Sequence, residues 1–252
     1  LSGKTAALLF VGFAVAFAIK TPMFPLHTCQ ADAYSDTPTP VVAVVGGAMA
    51  KLGTFGFFRI CLGIFPDASA QYGVVLCWLA AASIVYAALI ASVQRDLKRV
   101  MAFSSVSHLG FIVLGLFSGT SQGVVGACAQ MINHGIVAGG LFFLLAFLEK
   151  RRCTLQIRLL GGLWEQMPVF SRIFLLFTLA SVGLPLTNGF VGEFLTLLGA
   201  YKAYPGAAAV ATTGVIWSAV YMLGMYQRVF YGVPTRPENQ ALSDIADGEG
   251  GL

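Results

Sequence analysis

The chain has 252 residues, of which 57% are hydrophobic and only 10% charged. Soluble domains carry about 25% charged residues, so this chain could not cover a water-facing surface, and its mean hydropathy of +0.80 agrees. Soluble enzymes, nucleic-acid binders and disordered tails are thereby excluded, and the net charge of +4 reads as membrane topology.

In chain order, seven apolar runs are long enough to cross a bilayer, which takes about 20 residues per helix. They fall at 6–26, 41–65, 72–93, 100–117, 123–148, 169–200 and 207–233, with a polar tail or loop over 234–252. Barrel strands would be shorter and would alternate in polarity, so the fold expected is an all-α integral membrane protein. The first run is interrupted by Pro22 and Pro25, and the sixth by Gly183-Leu184-Pro185. Proline removes a backbone donor, and a helix broken at membrane depth must be buried in protein or face water. Gly135-x-x-x-Gly139 reads as a close helix-packing surface. The five cysteines, 29, 61, 77, 128 and 153, show no metal-binding spacing and read as small buried hydrophobes. No Met or signal-type segment opens the chain, which suggests a piece of a longer membrane protein.

Lysine and arginine set the orientation. Arg95, Lys98, Arg99, Lys150, Arg151, Arg152, Arg158, Arg172, Arg228 and Arg236 fall on one side, with a loop at 27–40, against Lys4 and Lys202 on the other. The positive-inside rule then makes the C-terminus cytoplasmic. Three cations remain within spans, Lys20, Lys51 and Arg59, with one carboxylate, Glu193, and two imidazoles, His108 and His134. A charge at mid-membrane costs at least about 2.5–3.5 kcal/mol, so such residues are functional candidates. Arg59 is placed to snorkel outward. Lys20 flanks the first break, and a lysine between burial and a carboxylate can gain and lose a proton. Lys51 sits near mid-membrane among small residues. Ser104 and His108 share a helix face, as do Gln130 and His134, with Asn133 adjacent. Two such faces would form a polar axis along which imidazole relays protons. Glu193, just after the second break, reads as a terminal proton donor or a helix cap. No nucleophilic triad, metal ligand set, phosphate loop or dinucleotide fingerprint is present.

The words around these residues resemble one family. Ala18-Ile19-Lys20-Thr21-Pro22-Met23-Phe24-Pro25-Leu26-His27-Thr28 is similar to the lysine-bearing broken helix of the antiporter-like subunits of NADH:quinone oxidoreductase, respiratory complex I. Ala50-Lys51-Leu52-Gly53, the stretch Asp96 to Gly110, Asn133-His134-Gly135 and Gly189-Phe190-Val191-Gly192-Glu193-Phe194 continue the match in order. Glutamate at 193, where the L and N sisters carry lysine, resembles the M branch. The stretch Cys29-Gln30-Ala31-Asp32-Ala33-Tyr34 departs from the family's usual Trp-Leu-Pro-Asp-Ala-His.

The resemblance implies fourteen helices in two inverted five-helix repeats, of which this chain holds the second half-channel without the first repeat. Lys20 would be its central residue, Lys51, His108 and His134 a water-filled connecting axis, and Glu193 its end. It implies proton translocation driven by quinone reduction elsewhere, in a bacterial inner membrane. NADH, FMN, iron–sulfur clusters and quinone belong to partner subunits, and no cofactor or metal to this chain. Partners would be the L and N relatives, the missing N-terminal half and membrane lipid, with no nucleic acid. Two alternatives stand beside this: a subunit of an Mrp-type cation/proton antiporter or membrane hydrogenase, and a non-conducting scaffold remnant, which predicts dry packing between the lysines and Glu193.

Overall fold

The computed structural model describes residues 3–234 and 236–245. Helices run as α1 (Gly3–Lys20), α2 (Thr28–Asp36), α3 (Thr39–Val44), α4 (Lys51–Gly56), α5 (Pro66–Val93), α6 (Leu97–Phe117) and α7 (Ser121–Arg152). They continue as α8 (Leu163–Gln166), α9 (Pro168–Val182), α10 (Asn188–Ala203), α11 (Pro205–Phe230) and α12 (Pro237–Gln240). Among the described residues the architecture is all-helical, with six helices long and apolar enough to cross a membrane.

The second of these six is continuous over Thr39–Leu62. In it α3 and α4 are joined by a π-helical stretch, Val45–Met49, and a second, Phe57–Leu62, follows α4. Expanded turns of this kind free backbone carbonyls. Lys51 Nζ donates to one of them, Gly46 O.

Every residue of α6 is buried except for partial exposure of Arg99, making it the axle of the bundle. Small residues let the neighbours close on it. Ala80, Ala81, Ala87 and Ala88 of α5 are fully buried, and a Cβ on Gly110 would lie 2.7 Å from Ile84. In a bilayer, where water does not drive helices together, such close approach supplies the packing energy. Gly135 and Gly139 do what their spacing predicts: a Cβ on Gly47 would lie 3.3 Å from each of Gly135 O and Gly139 Cα. The α6 N-terminus is capped by Asp96, whose carboxylate accepts from Lys98 N and Arg99 N.

The expected loop at 27–40 is a correction. Residues 28–36 form α2, with Ala31 and Tyr34 buried. The break at 21–27 lies within the bundle, because Phe24 N donates to Ser83 Oγ in the middle of α5. α2 runs on to the level of Arg99, which pairs with Asp32 at 2.8 Å. α2 thus continues past the break that ends α1. The sixth run, expected as one over-long span, is two helices of 15 and 16 residues, each shorter than the ~20 that a crossing needs.

The polar segment after 233 folds back over its described part. Asp244 accepts from Val169 N and Phe170 N at 2.6 and 3.1 Å, satisfying free donors at the start of α9. Asn239 accepts from Arg152 Nε at 2.6 Å. Residue 235 and residues 246–252 lie outside the described residues. Cys61 and Cys77 are buried as expected, but Cys29 and Cys153 are exposed. Cys153 is the left-handed C-cap of α7, and Cys29 lines an open cavity beside Lys20.

Candidate functional site

Glu193 owes its place to the break before it. α9 ends on Gly183 with φ +74°, a conformation that favours glycine. Pro185 lacks the donor to continue the helix, and α10 restarts at Asn188. Gly183 is required twice over, since a Cβ there would also stand 2.7 Å from Glu193 Oε2. Glu193 is 6% exposed and faces α6 and α7. Its Oε1 lies 2.9 Å from His108 Nδ1 and accepts from Gln130 Nε2 at 3.1 Å. With the carboxylate ionised and the imidazole neutral, Nδ1–H donates to Glu193. His108 Nε2, 3.3 Å from Ser181 Oγ, then accepts from that hydroxyl.

His134 continues the series. Its ring centroid is 5.4 Å from that of His108, and its Nδ1 is buried without a protein partner. The two imidazoles, with Ser104, Ser105 and Ser181, line a cavity of about 10 Å³, near the smallest that holds one water. Glu193, His108 and His134 thus stand close together around this small cavity. Tyr221 Oη donates to Ser104 Oγ at 2.9 Å. Gln130 Oε1 and Thr196 Oγ1 are further buried acceptors with no protein partner. Lys51 reaches α7 beside His134, since a Cβ on Gly135 would stand 3.9 Å from Lys51 Cε, and it lines a cleft of about 610 Å³ between the Thr39–Leu62 helix and α7.

Other candidates fall elsewhere. Lys20 ends α1 exposed, on a cavity of about 310 Å³ with Pro22, Gln30 and Tyr34. No hydrogen bond or ion pair joins it to the imidazoles among the described residues. Asn133 is not in the axis either: its Nδ2 donates to Asn188 O at 2.6 Å on an exposed face, stapling α7 to the start of α10. Pro25 follows a cis peptide bond at the first break.

Sequence reasoning missed Ser181 and Tyr221, which are ordinary residues of apolar helices until the fold sets them beside His108 and Ser104. It also missed a buried lysine: Lys98, 7% exposed, donates to Thr37 O at 3.0 Å and lies 3.5 Å from Glu149 Oε1. Thr39 donates to the other oxygen of Glu149. No metal-binding group of His, Cys, Asp or Glu occurs among the described residues.

This sequence and this fold have known counterparts. The chain is 41% identical over 249 residues to NADH-quinone oxidoreductase subunit M of Rhodobacter capsulatus, covering 99% of this chain and 49% of the relative. It is 38% identical to subunit M of Escherichia coli, covering 92% and 46%. Among solved structures, a chain of respiratory complex I from Thermus thermophilus with bound NADH superposes with a TM-score of 0.92 at 40% identity, over 98% of this chain and 52% of that one. A chain of the Mrp complex from Dietzia sp. superposes at 0.88 and 26% identity, over 93% and 44%. The chain spans about half the length of the relatives it matches. Residues 1–218 match the family described as NADH:quinone oxidoreductase/Mrp antiporter, TM, and with the fold and these relatives in agreement the chain belongs to that family of multi-pass membrane proteins.

Proposed function

We propose that this chain forms half of a proton-translocating subunit of NADH:quinone oxidoreductase, passing protons along Lys51, His134, His108 and Glu193. Lys20 is the central residue on the side of the missing half. The observation that carries the reading is the buried Glu193–His108 contact at 2.9 Å, followed by His134 at 5.4 Å between rings. When Glu193 takes the proton from His108 Nδ1, Nε2 needs a replacement, and Ser181 Oγ–H and His134 are beside it. The buried acceptors without protein partners are places where water can bridge. In this low-dielectric setting a proton arriving on one group changes the electrostatic energy of the next.

The redox cofactors belong to partner subunits on this reading. The partners are the L and N relatives and an N-terminal half that supplies a counter-charge for Lys20. The protein lies in the bacterial inner membrane with its C-terminal segment cytoplasmic. In complex assembled with Lys51→Ala, protons pumped per NADH by reconstituted vesicles are expected to fall while the complex stays intact. Normal pumping would remove the relay assignment. The Dietzia likeness favours a second reading, cation/proton exchange of the Mrp type, which expects sodium-dependent proton flux without NADH. The narrow cavity beside His108 favours the scaffold reading, for which Lys51→Ala changes nothing.

A further inference from the structure

On the cation-rich face, away from the Glu193 axis, three arginines converge on one pocket. Arg95, Arg158 and Arg228, with Gln94, Ile157 and Leu160, enclose about 450 Å³, within the range of about 300–1,000 Å³ typical of small-ligand sites. The arginines come from three separate elements held in a fixed frame. Leu97 N donates to Leu155 O at 3.0 Å and Ile157 N to Arg95 O at 2.9 Å, forming an antiparallel bridge between the α6 N-terminus and the segment after α7. Gly162 N donates to Tyr231 O at 3.2 Å, which ties that segment to the end of α11, where Arg228 lies. Asn239 Nδ2 holds the same segment from the other side, at 3.4 Å from Leu159 O and 3.3 Å from Gly161 O.

No carboxylate lines this pocket. The ion pairs among the described residues involve Lys98, Arg99 and His108, and Arg158 bonds only the neutral Gln156 at 3.2 Å. Three guanidinium groups around one space repel each other unless an anion lies between them, and their planar forks suit phosphate oxygens. Depth decides which anion. Trp164 and Tyr231 pack with ring centroids 5.7 Å apart beside the segment that Gly162 ties to the end of α11, and Tyr231 is half exposed. Such amphipathic rings mark the headgroup level of a bilayer. Ile157 and Leu160 supply an apolar wall beside the charges, as a molecule with one phosphate and two acyl chains requires.

We propose that the Arg95–Arg158–Arg228 pocket binds the headgroup phosphate of an anionic phospholipid of the leaflet on the cation-rich side. The site shares its phosphate chemistry with any free phosphate, and the test separates the two sources. The full chain, purified in detergent, is titrated with phosphatidylglycerol, with phosphatidylcholine of the same acyl chains and with inorganic phosphate, and bound lipid is counted by native mass spectrometry. Phosphatidylglycerol is expected to bind at least about tenfold more tightly than phosphatidylcholine. Each Arg→Gln change should cost several-fold and the R95Q/R158Q/R228Q variant about a hundredfold, from about 1 kcal/mol per cation at an anionic surface. R172Q, on the same face outside the pocket, should leave the preference intact. The single variants carry the test if the triple one does not fold. Four results overturn the proposal: the preference surviving all three changes, R172Q abolishing it equally, inorganic phosphate binding as well as the lipid, or the unaltered chain showing no preference. The last would leave the pocket to an acidic segment of a partner subunit.

Discussion

The two interrupted helices carry one charged residue each, and the surroundings of those residues differ. At the second break, Glu193 is 6% exposed and its carboxylate is met by His108 from α6 and Gln130 from α7. At the first, Lys20 is exposed on an open cavity that Gln30 and Tyr34 also line, and no carboxylate among the described residues lines that cavity. The backbone is equally well fitted at both, since Gly53 closes on Lys20–Thr21 as tightly as Gly189 closes on Ala180. The difference lies in the charge: the second break is electrostatically finished within this chain, and the first faces outward. Burying an ammonium without a partner is costly, and Lys20 avoids that cost by staying exposed.

That contrast can be broken most directly at Glu193. Under the proposed function, Glu193→Ala should lower proton flux through this half-channel by about a hundredfold, the scale of losing one positioned acid–base group. In a double-mutant cycle with His108→Ala, flux in reconstituted vesicles should show a coupling of about 0.5–3 kcal/mol. A cycle of His108→Ala with Lys20→Ala should be additive within about 0.5 kcal/mol. Strong coupling to Lys20 and none to Glu193 would reverse the comparison.

Two glycines sharpen it further. Gly53→Ala places a Cβ 2.3 Å from Thr21 Oγ1 and 2.8 Å from Thr21 N, an overpacking expected to cost about 1–3 kcal/mol. It should lower the thermal unfolding temperature in detergent while leaving the His108–Glu193 coupling unchanged. Gly183→Ala meets a positive φ and the Glu193 carboxylate together. It should destabilise by about 1–3 kcal/mol and weaken that coupling as well. Equal behaviour of the two variants would mean that the breaks are not distinct.

The smallest effect lies outside the membrane-spanning helices, at Asp96. Burial raises its carboxyl above the usual value of 3.8, against the hydrogen bonds from Arg99 and Lys98 that lower it. The folded state then holds a proton that the unfolded state releases. The stability this contributes is complete below the unfolded value and is lost as pH rises through the folded one. Thermal unfolding temperature should therefore drift down with rising pH just above 3.8, and Asp96→Asn, which still caps α6, should flatten that drift. An upward drift would show that the cap hydrogen bonds outweigh burial.

Glu193, His108 and His134 stand out in apolar runs because idle polar groups are costly there, and the fold gathers all three. Gln130 and Ser104 followed from helical spacing. The same reasoning could not separate Asn133, which shares a helix with Gln130 and faces outward. Nor could it find Ser181 and Tyr221, whose contacts span 73 and 117 residues. A polar stretch from Cys29 to Asp36 after two prolines points to a loop, yet the segment is α2 and packs on α6, where Asp32 meets Arg99. Lys98, read as one of many cytoplasmic cations, is buried by the same segment through Thr37 O.

What the sequence by itself determined is therefore the list of costly groups, the number and spacing of apolar runs and the two places where proline and glycine interrupt them. These are local properties, set by transfer energy and backbone chemistry. Only the tertiary structure decided which of those groups meet: that Glu193 is satisfied by α6 and α7, that Lys20 is left facing outward, and that three arginines distant in sequence share one pocket. Such pairings depend on which helix faces turn toward each other, and that is settled by the packing of the whole bundle and by no single segment.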